Sequence, residues 1–290
     1  MKALAFGEIL WDVFEGGRTL GGAPLNVLGH IRKLGGEGCI VSALGDDELG
    51  ALTRSRLEDL GIGMDYLATS DCPTGYARIQ LVDGVPGYSF CTPAAWDRIR
   101  LTEDQYDRLL AQDWDVLIYG TLAQRDGQSA ATLERLLSCV KATEFFFDVN
   151  LRLDYYGLEA VERGLKKATI VKMNDEEVPI IASLYGQRSD SLISWLLEER
   201  GVFKVLVTSG KRGSDCYSAE GCCHADCAKV RVVDTVGAGD SLSAAFLHFL
   251  SKGCTCQEAL ERASMLADYV VGHAGAIPDY DDELRRKLGI

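Results

Sequence analysis

Short apolar runs alternate with segments of helical apolar spacing over most of this chain. The strands predicted beyond residue 102 are 116–119, 144–149, 169–173 and 204–208. The helices predicted around them are about 103–112, 128–141, 155–167, 175–184 and 190–200. Such alternation predicts an α/β fold with a mostly parallel central sheet and helices on both faces. Ligands of such sheets bind beyond the carboxyl ends of the strands.

The first sixty residues continue this pattern. Buried strands are predicted at 2–6 and 39–44, with a second extended piece at 9–14. Pro24 favours a helix start, and apolar residues follow at helical spacing to Gly35. Another helix is predicted to end at Gly61.

Strict alternation replaces helical spacing between residues 74 and 90. Turn residues at Asp83-Gly84 and Pro86-Gly87 predict a hairpin, with residues 77, 79 and 81 facing away from 78, 80 and 82. An isolated hairpin is marginal, so we expect it to pair with 9–14 and with 91–99 in a small projecting sheet. Phe90 and Trp96 in this region either cover a ligand or pack within the sheet.

The stretch from Asp234 to Asp240 has a Gly-Ala-Gly turn where a predicted strand, 230–233, gives way to a helix that ends before Gly253. A helix start offers unpaired backbone N–H groups and a positive dipole end, which suit a phosphate. Asp240 is either a helix cap or a base beside this anion site. An anion site next to a base is what phosphoryl transfer to an alcohol requires.

The charge balance narrows the possible partners. The 290 residues include 30 Lys and Arg against 43 Asp and Glu, a formal net charge of −13, which argues against nucleic acid and anionic membranes. Glu8 and Asp12 interrupt the apolar N-terminal stretch, so it does not resemble a signal peptide, and no run is long enough for a membrane span. We therefore expect a cytoplasmic protein with one α/β domain over residues 1–290.

Ten cysteines are scattered along the chain. Cys216, Cys222, Cys223, His224 and Cys227 are close in sequence, and Cys and His are zinc ligands. However, they do not form two Cys-x-x-Cys pairs at zinc-finger spacing. We interpret them as reduced structural thiols, an interpretation that stoichiometric zinc in an elemental analysis would contradict.

The stretch 234–240 resembles the D-T-x-G-A-G-D signature of the ribokinase-like (PfkB) carbohydrate kinases, and all six specified positions match. The resemblance implies a ribokinase-like fold and phosphorylation of a sugar by ATP. It further implies that Asp240 is the catalytic base and that the amides of Gly237, Ala238 and Gly239 form the anion hole, with Gly239 also contacting the nucleotide.

The family's N-terminal signature, a Gly-Gly pair followed four residues later by Asn, matches Gly21, Gly22 and Asn26. The resemblance implies that these residues bind the sugar, together with Asp12, which would accept hydrogen bonds from two hydroxyls. Without it, Asp12 would be read as a turn residue and Asn26 as a solvated helix residue. Gln124, near a predicted strand end, is a further substrate-binding candidate.

The implied nucleotide and magnesium residues also follow predicted strands. Asn174 and Glu177 match the family's N-x-x-E motif, which arranges water around a phosphate-bound Mg²⁺. Taken alone, this acidic run is a favourable first helical turn. Thr208, Gly210 and Lys211 lie in a T-x-G-x-x-G segment like the one beside the family's nucleotide. Lys211 either neutralises phosphate or is a solvated loop charge.

Two further sites are implied by the resemblance. Residues 148–152 are similar to the D-x-N-x-R segment of fructokinase and 2-keto-3-deoxygluconate kinase relatives, and Arg152 would hold the transferring phosphoryl group or an anionic substrate. Asp234, Val236 and Gly275 resemble the family's monovalent-cation site, where K⁺ would strengthen the field at the anion hole.

The N-terminal segments 7–12 and 21–26 look fructokinase-like, so the resemblance predicts transfer of the γ-phosphate of ATP to fructose. The alternative is a kinase for 2-keto-3-deoxygluconate or another sugar. A phosphosugar is disfavoured because residues 74–90 offer only Arg78 as a base, and a nucleoside is disfavoured by the N-terminus. A non-catalytic sensor on the same fold is a third class.

In the family the small sheet is a substrate lid and a dimer contact. The resemblance therefore implies a lid formed by about residues 9–19 and 72–99, and a homodimer through it.

Overall fold

The computed structural model describes residues 1–82 and 85–290, and within strands it gives only the backbone for 79–82 and 85–88. The predicted turn at Asp83-Gly84 and the predicted facing of side chains 79–82 lie outside the described residues. Pro86-Gly87, predicted as a turn, belongs to a strand.

The regular elements follow the predicted order closely. The strands of the described residues are β1 (Lys2–Phe6), β2 (Leu10–Phe14), β3 (Gly17–Gly21), β4 (Glu37–Gly45), β5 (Leu67–Ser70), β6 (Gly75–Val82), β7 (Val85–Phe90), β8 (Trp114–Gly120), β9 (Ala142–Asp148), β10 (Ile170–Asn174), β11 (Lys204–Thr208), β12 (Ser214–Ser218) and β13 (Gly221–Ala225). The α-helices are α1 (Ala23–Lys33), α2 (Glu48–Asp59), α3 (Glu103–Leu110), α4 (Gly127–Cys139), α5 (Leu158–Leu165), α6 (Glu177–Leu184), α7 (Leu192–Glu199), α8 (Ala238–Ser251), α9 (Cys256–Val271) and α10 (Asp282–Leu288). The strands and helices predicted beyond residue 102 are confirmed, apart from 230–233.

The main sheet has the strand order β13-β12-β11-β10-β9-β8-β1-β4-β5. Neighbours from β11 to β5 pair in parallel, whereas β12 and β13 pair antiparallel at one edge. Successive side chains of β1 enter different cores because strand side chains alternate in direction. Ala3 and Ala5 belong to the core that contains α1, α8 and α9, and Leu4 and Phe6 belong to the core that contains α3 to α7. Both faces are therefore covered by helices, as predicted.

The small sheet has the order β3-β2-β6-β7. The predicted hairpin β6–β7 is confirmed, and β6 pairs with β2. The prediction that 91–99 joins this sheet is wrong. The fourth strand of the small sheet is instead β3, which pairs with β2 across a two-residue turn.

Residues 91–99 leave the small sheet after Cys91, whose N–H donates to the carbonyl of Tyr76 on β6. They contain a 3₁₀ turn, Ala95–Arg98, and the Asp97 carboxylate accepts the N–H of Ala94. Trp96 is buried in the core, and its carbonyl accepts the hydroxyl of Ser129 on α4. Trp96 therefore packs as a core residue, but in the main core and not within the small sheet as the packing alternative had it.

The β-branched run 230–233 is not a strand, contrary to prediction. Val232 and Val233 are more than half exposed, and the N–H of Val233 donates to the carbonyl of Val271, 2.9 Å away, instead of to a strand. Strand propensity is realised only by pairing and packing, and the sheet already ends at β13. A loop therefore leads into α8.

Among the helices of the described residues, none combines the length and the apolar character that crossing a membrane would require.

Candidate active site

A cavity of about 580 Å³ opens beyond the carboxyl ends of the parallel strands. Its lining comes from the loop after β1, from β2, the start of α1, the loop after β9, the ends of β10 and β11, and the start of α8. The predicted site residues that line it are Asp12, Gly21, Gly22, Asn26, Arg152, Asn174, Glu177, Thr208, Val236, Gly237, Gly239 and Asp240. Residues from opposite ends of the chain thus meet at one edge of the sheet.

The beginning of α8 is open toward the cavity. Gly237, the residue before the helix, has a left-handed φ of 80°, and no described side chain caps the helix. Gly237 and Gly239 line the cavity, whereas the N–H of Ala238 lies 3.4 Å from the carbonyl of Thr235. Uncapped N–H groups and the helix dipole give this end a positive potential, which suits an anion.

Asp240 lies in the first turn of α8 and is hydrogen-bonded to Asn26. The Nδ2 of Asn26 donates to the Oδ2 of Asp240 over 2.7 Å. Desolvation raises the pKa of Asp240 to about 6, against the lowering effect of Lys172, and Asp148 adds to the rise. A carboxylate with that pKa is mostly ionised at pH 7 yet a stronger base than an exposed one, as general-base catalysis favours.

Asn26 is not a solvated helix residue, because it is buried. Asp12 is not a turn residue, because it lies within a strand. Asn26 is buried in α1, and its Oδ1 has no hydrogen-bond partner among the described residues. A buried acceptor left unpaired is costly, and Asn26 lines the cavity, so a ligand hydroxyl can satisfy this oxygen. Asp12 lies in β2, where desolvation raises its pKa against the lowering effect of Arg152.

Asn174 and Glu177 bond to each other's backbone. The Oδ1 of Asn174 accepts the N–H of Glu177, and the Oε2 of Glu177 accepts the N–H of Asn174, both over 2.8 Å. The Oε1 of Glu177 accepts the N–H of Leu151 over 2.7 Å, which ties the loop after β9 to α6. Each carboxylate oxygen keeps a second lone pair. Because Mg²⁺ retains most of its waters, this oxygen set suits a hydrated Mg²⁺ beside phosphates.

Two charged residues in the lining were missed at the sequence level. Lys172 lies inside β10, and its Nζ contacts the Asp148 carboxylate oxygens at 3.0 and 3.1 Å. Desolvation lowers the pKa of Lys172, but Asp148, Glu177 and Asp240 together raise it above its usual value. The available signal was a single lysine within an apolar strand.

Glu8 is the second missed residue. It is buried in the loop after β1, and its Oε1 accepts the N–H of Ala23 over 3.2 Å. Desolvation raises the pKa of Glu8 to about 7. Little in the sequence indicated that Glu8 would be buried in the cavity lining, because a lone acidic residue after a strand usually belongs to a turn.

Some predicted residues lie outside the cavity lining. The side chain of Gln124 is bonded to the carbonyl of Gly120 and to Arg163. Gly210 and Lys211 lie in an exposed turn after β11. Asp234 accepts the N–H groups of Val236 and Gly275 at 3.0 and 3.4 Å, so the predicted cation residues lie together beside the cavity.

Of the two aromatic residues predicted either to cover a ligand or to pack, Phe90 lines the cavity and Trp96 does not. The cysteines are free thiols, and within the described part of the chain no group of three or more His, Cys, Asp or Glu side chains has the arrangement of a metal site.

The parallel sheet, the small second sheet and a cavity at an open helix start define a phosphotransferase-type α/β enzyme. The chain belongs to the pfkB family of carbohydrate kinases, whose family model matches residues 2–283. It is therefore an ATP-dependent carbohydrate kinase with a ribokinase-like fold.

The chain is similar to several curated relatives. It is 27% identical over 274 residues to probable fructokinase-5 of Arabidopsis thaliana, covering 89% of this chain and 84% of that protein. It is 27% identical over 262 residues to a fructokinase of Rhizobium leguminosarum bv. trifolii, covering 85% and 79%. In fold it matches the crystal structure of a fructokinase with bound ATP from Xylella fastidiosa, with a TM-score of 0.85, 22% identity and coverage of 95% and 94% of the two chains.

Proposed function

We propose that this carbohydrate kinase transfers the γ-phosphate of ATP to a hydroxyl of fructose. The observation that carries the proposal is the contact between Asn26 and Asp240 at the open start of α8, inside one cavity. The fructokinase names of the Arabidopsis and Rhizobium relatives support fructose as the acceptor.

Sugar binding is proposed at Asp12, Gly21, Gly22 and Asn26. The unpaired Oδ1 of Asn26 accepts one sugar hydroxyl, and Asp12 accepts others. The Oδ2 of Asp240 is held by Asn26, which leaves the Oδ1 of Asp240 to take the proton of the attacking hydroxyl. Asn26 thereby orients both the base and the substrate.

The nucleotide is proposed to lie across the ends of β10 and β11, near Asn174, Thr208, Gly210 and Lys211. Mg²⁺ held through water by Asn174 and Glu177 would neutralise phosphate charge. The N–H groups of Gly237, Ala238 and Gly239 stabilise the charge on the transferred group. The long bond from Ala238 to Thr235 is weak enough to exchange for a phosphate oxygen.

Two finer assignments belong to the same proposal. K⁺ would bind near Asp234, Val236 and Gly275, where Asp234 supplies a carboxylate. A homodimer would form through the small sheet, which leaves Phe14 partly exposed. Activity in K⁺ against Na⁺ buffers, and light scattering of the purified protein, test these two assignments.

Arg152 supports a second candidate substrate, an acidic sugar such as 2-keto-3-deoxygluconate. It lines the same cavity as Asp12, and a guanidinium can bind a carboxylate in bidentate fashion. ADP release measured with fructose, 2-keto-3-deoxygluconate, ribose and adenosine separates the candidates. The largest kcat/KM is expected for fructose, and a larger value for the acidic sugar would replace fructose as the substrate.

The role of Asp240 is tested by Asp240→Asn. We expect kcat to fall by about 10²–10⁴-fold because the base is lost, while ATP affinity stays nearly unchanged. The exposed Asp226→Asn is the matched control and should retain turnover. Turnover of Asp240→Asn close to that of the unmodified enzyme would end this assignment. If the unmodified protein bound sugar but transferred no phosphate, a non-catalytic sensor would be favoured.

A further inference from the structure

Lys172 is a charged residue in a strand that is otherwise apolar. Val171 and Met173 beside it are fully buried, and Lys172 itself is 7% exposed. An ammonium in such a position is expensive unless it is paired, and its pairing with Asp148 joins β9 to β10. An apolar pair would hold two strands together at least as well. Strand packing alone therefore does not account for this lysine.

The small exposed fraction of Lys172 faces the cavity rather than bulk solvent. Among the described lining residues it is the single lysine, and Arg152 is the single arginine. The enzyme must hold a polyphosphate in a chain whose net charge is −13. Each cation in the lining therefore matters for binding or for catalysis.

The ammonium of Lys172 lies against the start of α8. A Cβ added to Gly239 would stand 3.2 Å from its Nζ, so a larger residue there would press on the ammonium. The same glycine is one of the proposed anion-hole residues. An ammonium and the positive end of a helix thus converge on one point of the cavity, although they repel each other unless an anion lies between them.

The charges of three carboxylates, from three elements, stabilise this cation. They belong to Asp148 on β9, Glu177 on α6 and Asp240 on α8. Among the described residues, only Asp148 makes a hydrogen bond to the ammonium. A lysine ammonium has three N–H donors, so at least one remains for a ligand oxygen in the cavity.

We propose that Lys172 is a catalytic residue of the phosphoryl transfer, whose ammonium contacts the transferring phosphoryl group beside the Gly239 amide. Asp148 is its positioning residue. This inference rests on the proposed binding of the γ-phosphate at the start of α8.

The reaction step balances without proton transfer by Lys172. The substrate hydroxyl oxygen forms a bond to the γ-phosphorus, and the bond from that phosphorus to the β,γ-bridging oxygen breaks to leave ADP. The hydroxyl proton passes to Asp240. Lys172 remains an ammonium throughout and stabilises charge that spreads over the equatorial phosphoryl oxygens.

The test compares Lys172→Met, which keeps length and removes charge, with Lys172→Arg and with the double variant Lys172→Met/Asp148→Asn. We expect Lys172→Met to lower kcat by about 10²–10³-fold, with KM for the sugar and affinity for ADP changed less than about 3-fold. Lys172→Arg should recover about tenfold or more of the lost kcat, because it restores a cation.

The double variant separates catalysis from packing. It removes the one carboxylate that is hydrogen-bonded to the ammonium, so its thermal stability should exceed that of Lys172→Met while kcat stays low. If the double variant regains kcat, or if Lys172→Met turns over within about 3-fold of the unmodified enzyme, Lys172 is structural and the proposal is overturned.

Binding of ADP with aluminium fluoride, a mimic of the phosphoryl group in transit, supplies a readout that needs no sugar turnover. Lys172→Met should weaken this complex by about the same factor as kcat while ADP alone binds normally. Equal weakening of both ligands would overturn the proposal. Failure of the unmodified enzyme to phosphorylate fructose would reject the proposed function and leave this comparison intact.

Discussion

Glu8 illustrates how burial changes the chemistry of a single carboxyl group in this cavity. It lines the cavity together with Asp240 and Arg152, and its Oε1 accepts the backbone N–H of Ala23. Desolvation dominates, and the pKa of Glu8 rises from 4.5 to about 7. The folded protein therefore binds this proton more tightly than the unfolded chain does.

The raised pKa of Glu8 predicts a pH-dependent stability difference for Glu8→Gln. Stability from this group is fully present below pH 4.5 and is lost as pH rises through 7, since the unfolded carboxyl ionises first. The free energy of unfolding of Glu8→Gln relative to the unmodified enzyme should therefore increase by about 2 kcal/mol between pH 5.5 and 8.5.

Urea unfolding at both pH values measures this difference, in which groups common to the two proteins cancel. The exposed Glu15→Gln is the control and should show no such change. An equal difference between Glu8→Gln and the unmodified enzyme at both pH values would contradict the raised pKa.

At the scale of elements, the start of α8 is held between α1 and the C-terminal turn. A Cβ on Gly237 would lie 2.5 Å from the carbonyl oxygen of Ala276. That oxygen also accepts a hydrogen bond from the Nε2 of His30 over 2.8 Å, while the Nδ1 of His30 lies 2.6 Å from the hydroxyl of Tyr280. Burial lowers the pKa of His30 to about 4, so the ring is neutral, donating at Nε2 and accepting at Nδ1.

Gly237→Ala should therefore damage both folding and catalysis, whereas Gly253→Ala should not. Both glycines have left-handed φ angles, 80° and 83°, but a Cβ on Gly253 would meet nothing within 4 Å. Gly253→Ala should cost only the strain of that conformation, about 1–2 kcal/mol. Gly237→Ala should cost more and lower kcat/KM by about 10²-fold, because the anion hole shifts.

Urea unfolding and steady-state kinetics of the two variants provide the measurement. Equal losses of stability and equal kcat/KM values would mean that the contact with Ala276 does not hold the helix start.

At the scale of the whole molecule, Arg125 connects the small sheet with the carboxyl-end loops of the main sheet. Its guanidinium pairs with Asp97 at 2.7 and 2.8 Å and donates to the carbonyl of Cys91, just after β7. The same group lies 3.8 Å from the ring centre of Trp96 and 4.8 Å from that of Tyr155. The segment that leaves the small sheet is thus held by the loop after β8 and lies near the loop after β9.

Burial makes this pair sensitive to truncation. The side chains of Arg125 and Asp97 are 6% and 3% exposed. Arg125→Ala leaves the buried Asp97 carboxylate without a partner and should therefore lower the free energy of unfolding by about 3–5 kcal/mol. Arg135 is a close match, because it also pairs with a carboxylate, Glu103, and covers an aromatic ring. Those two side chains are 48% and 76% exposed, so Arg135→Ala should cost less than about 1 kcal/mol.

Chemical denaturation of both arginine variants distinguishes the two environments. Similar losses would show that burial at Asp97 does not govern the strength of this connection.

Much of the fold and part of the site could be read from local sequence. Strand and helix periods depend on residues two to four positions apart, so the α/β layering and the helix after Gly239 were predictable. The motif at 234–240 and the Gly21-Gly22 pair identified two segments that line the cavity. Helix α9 was not predicted, although Thr255 and Glu258 form a capping box at its start.

Other features were decided by groups far apart in sequence. The ion pair of Lys172 with Asp148 depends on which strands are neighbours, and the small sheet depends on the pairing of β2 with β6, a segment far along the chain. Desolvation likewise depends on what the fold packs around a group, as for Glu8. Periodicity is a local property that the sequence by itself determines, whereas pairing and burial exist only once the tertiary structure brings distant segments together.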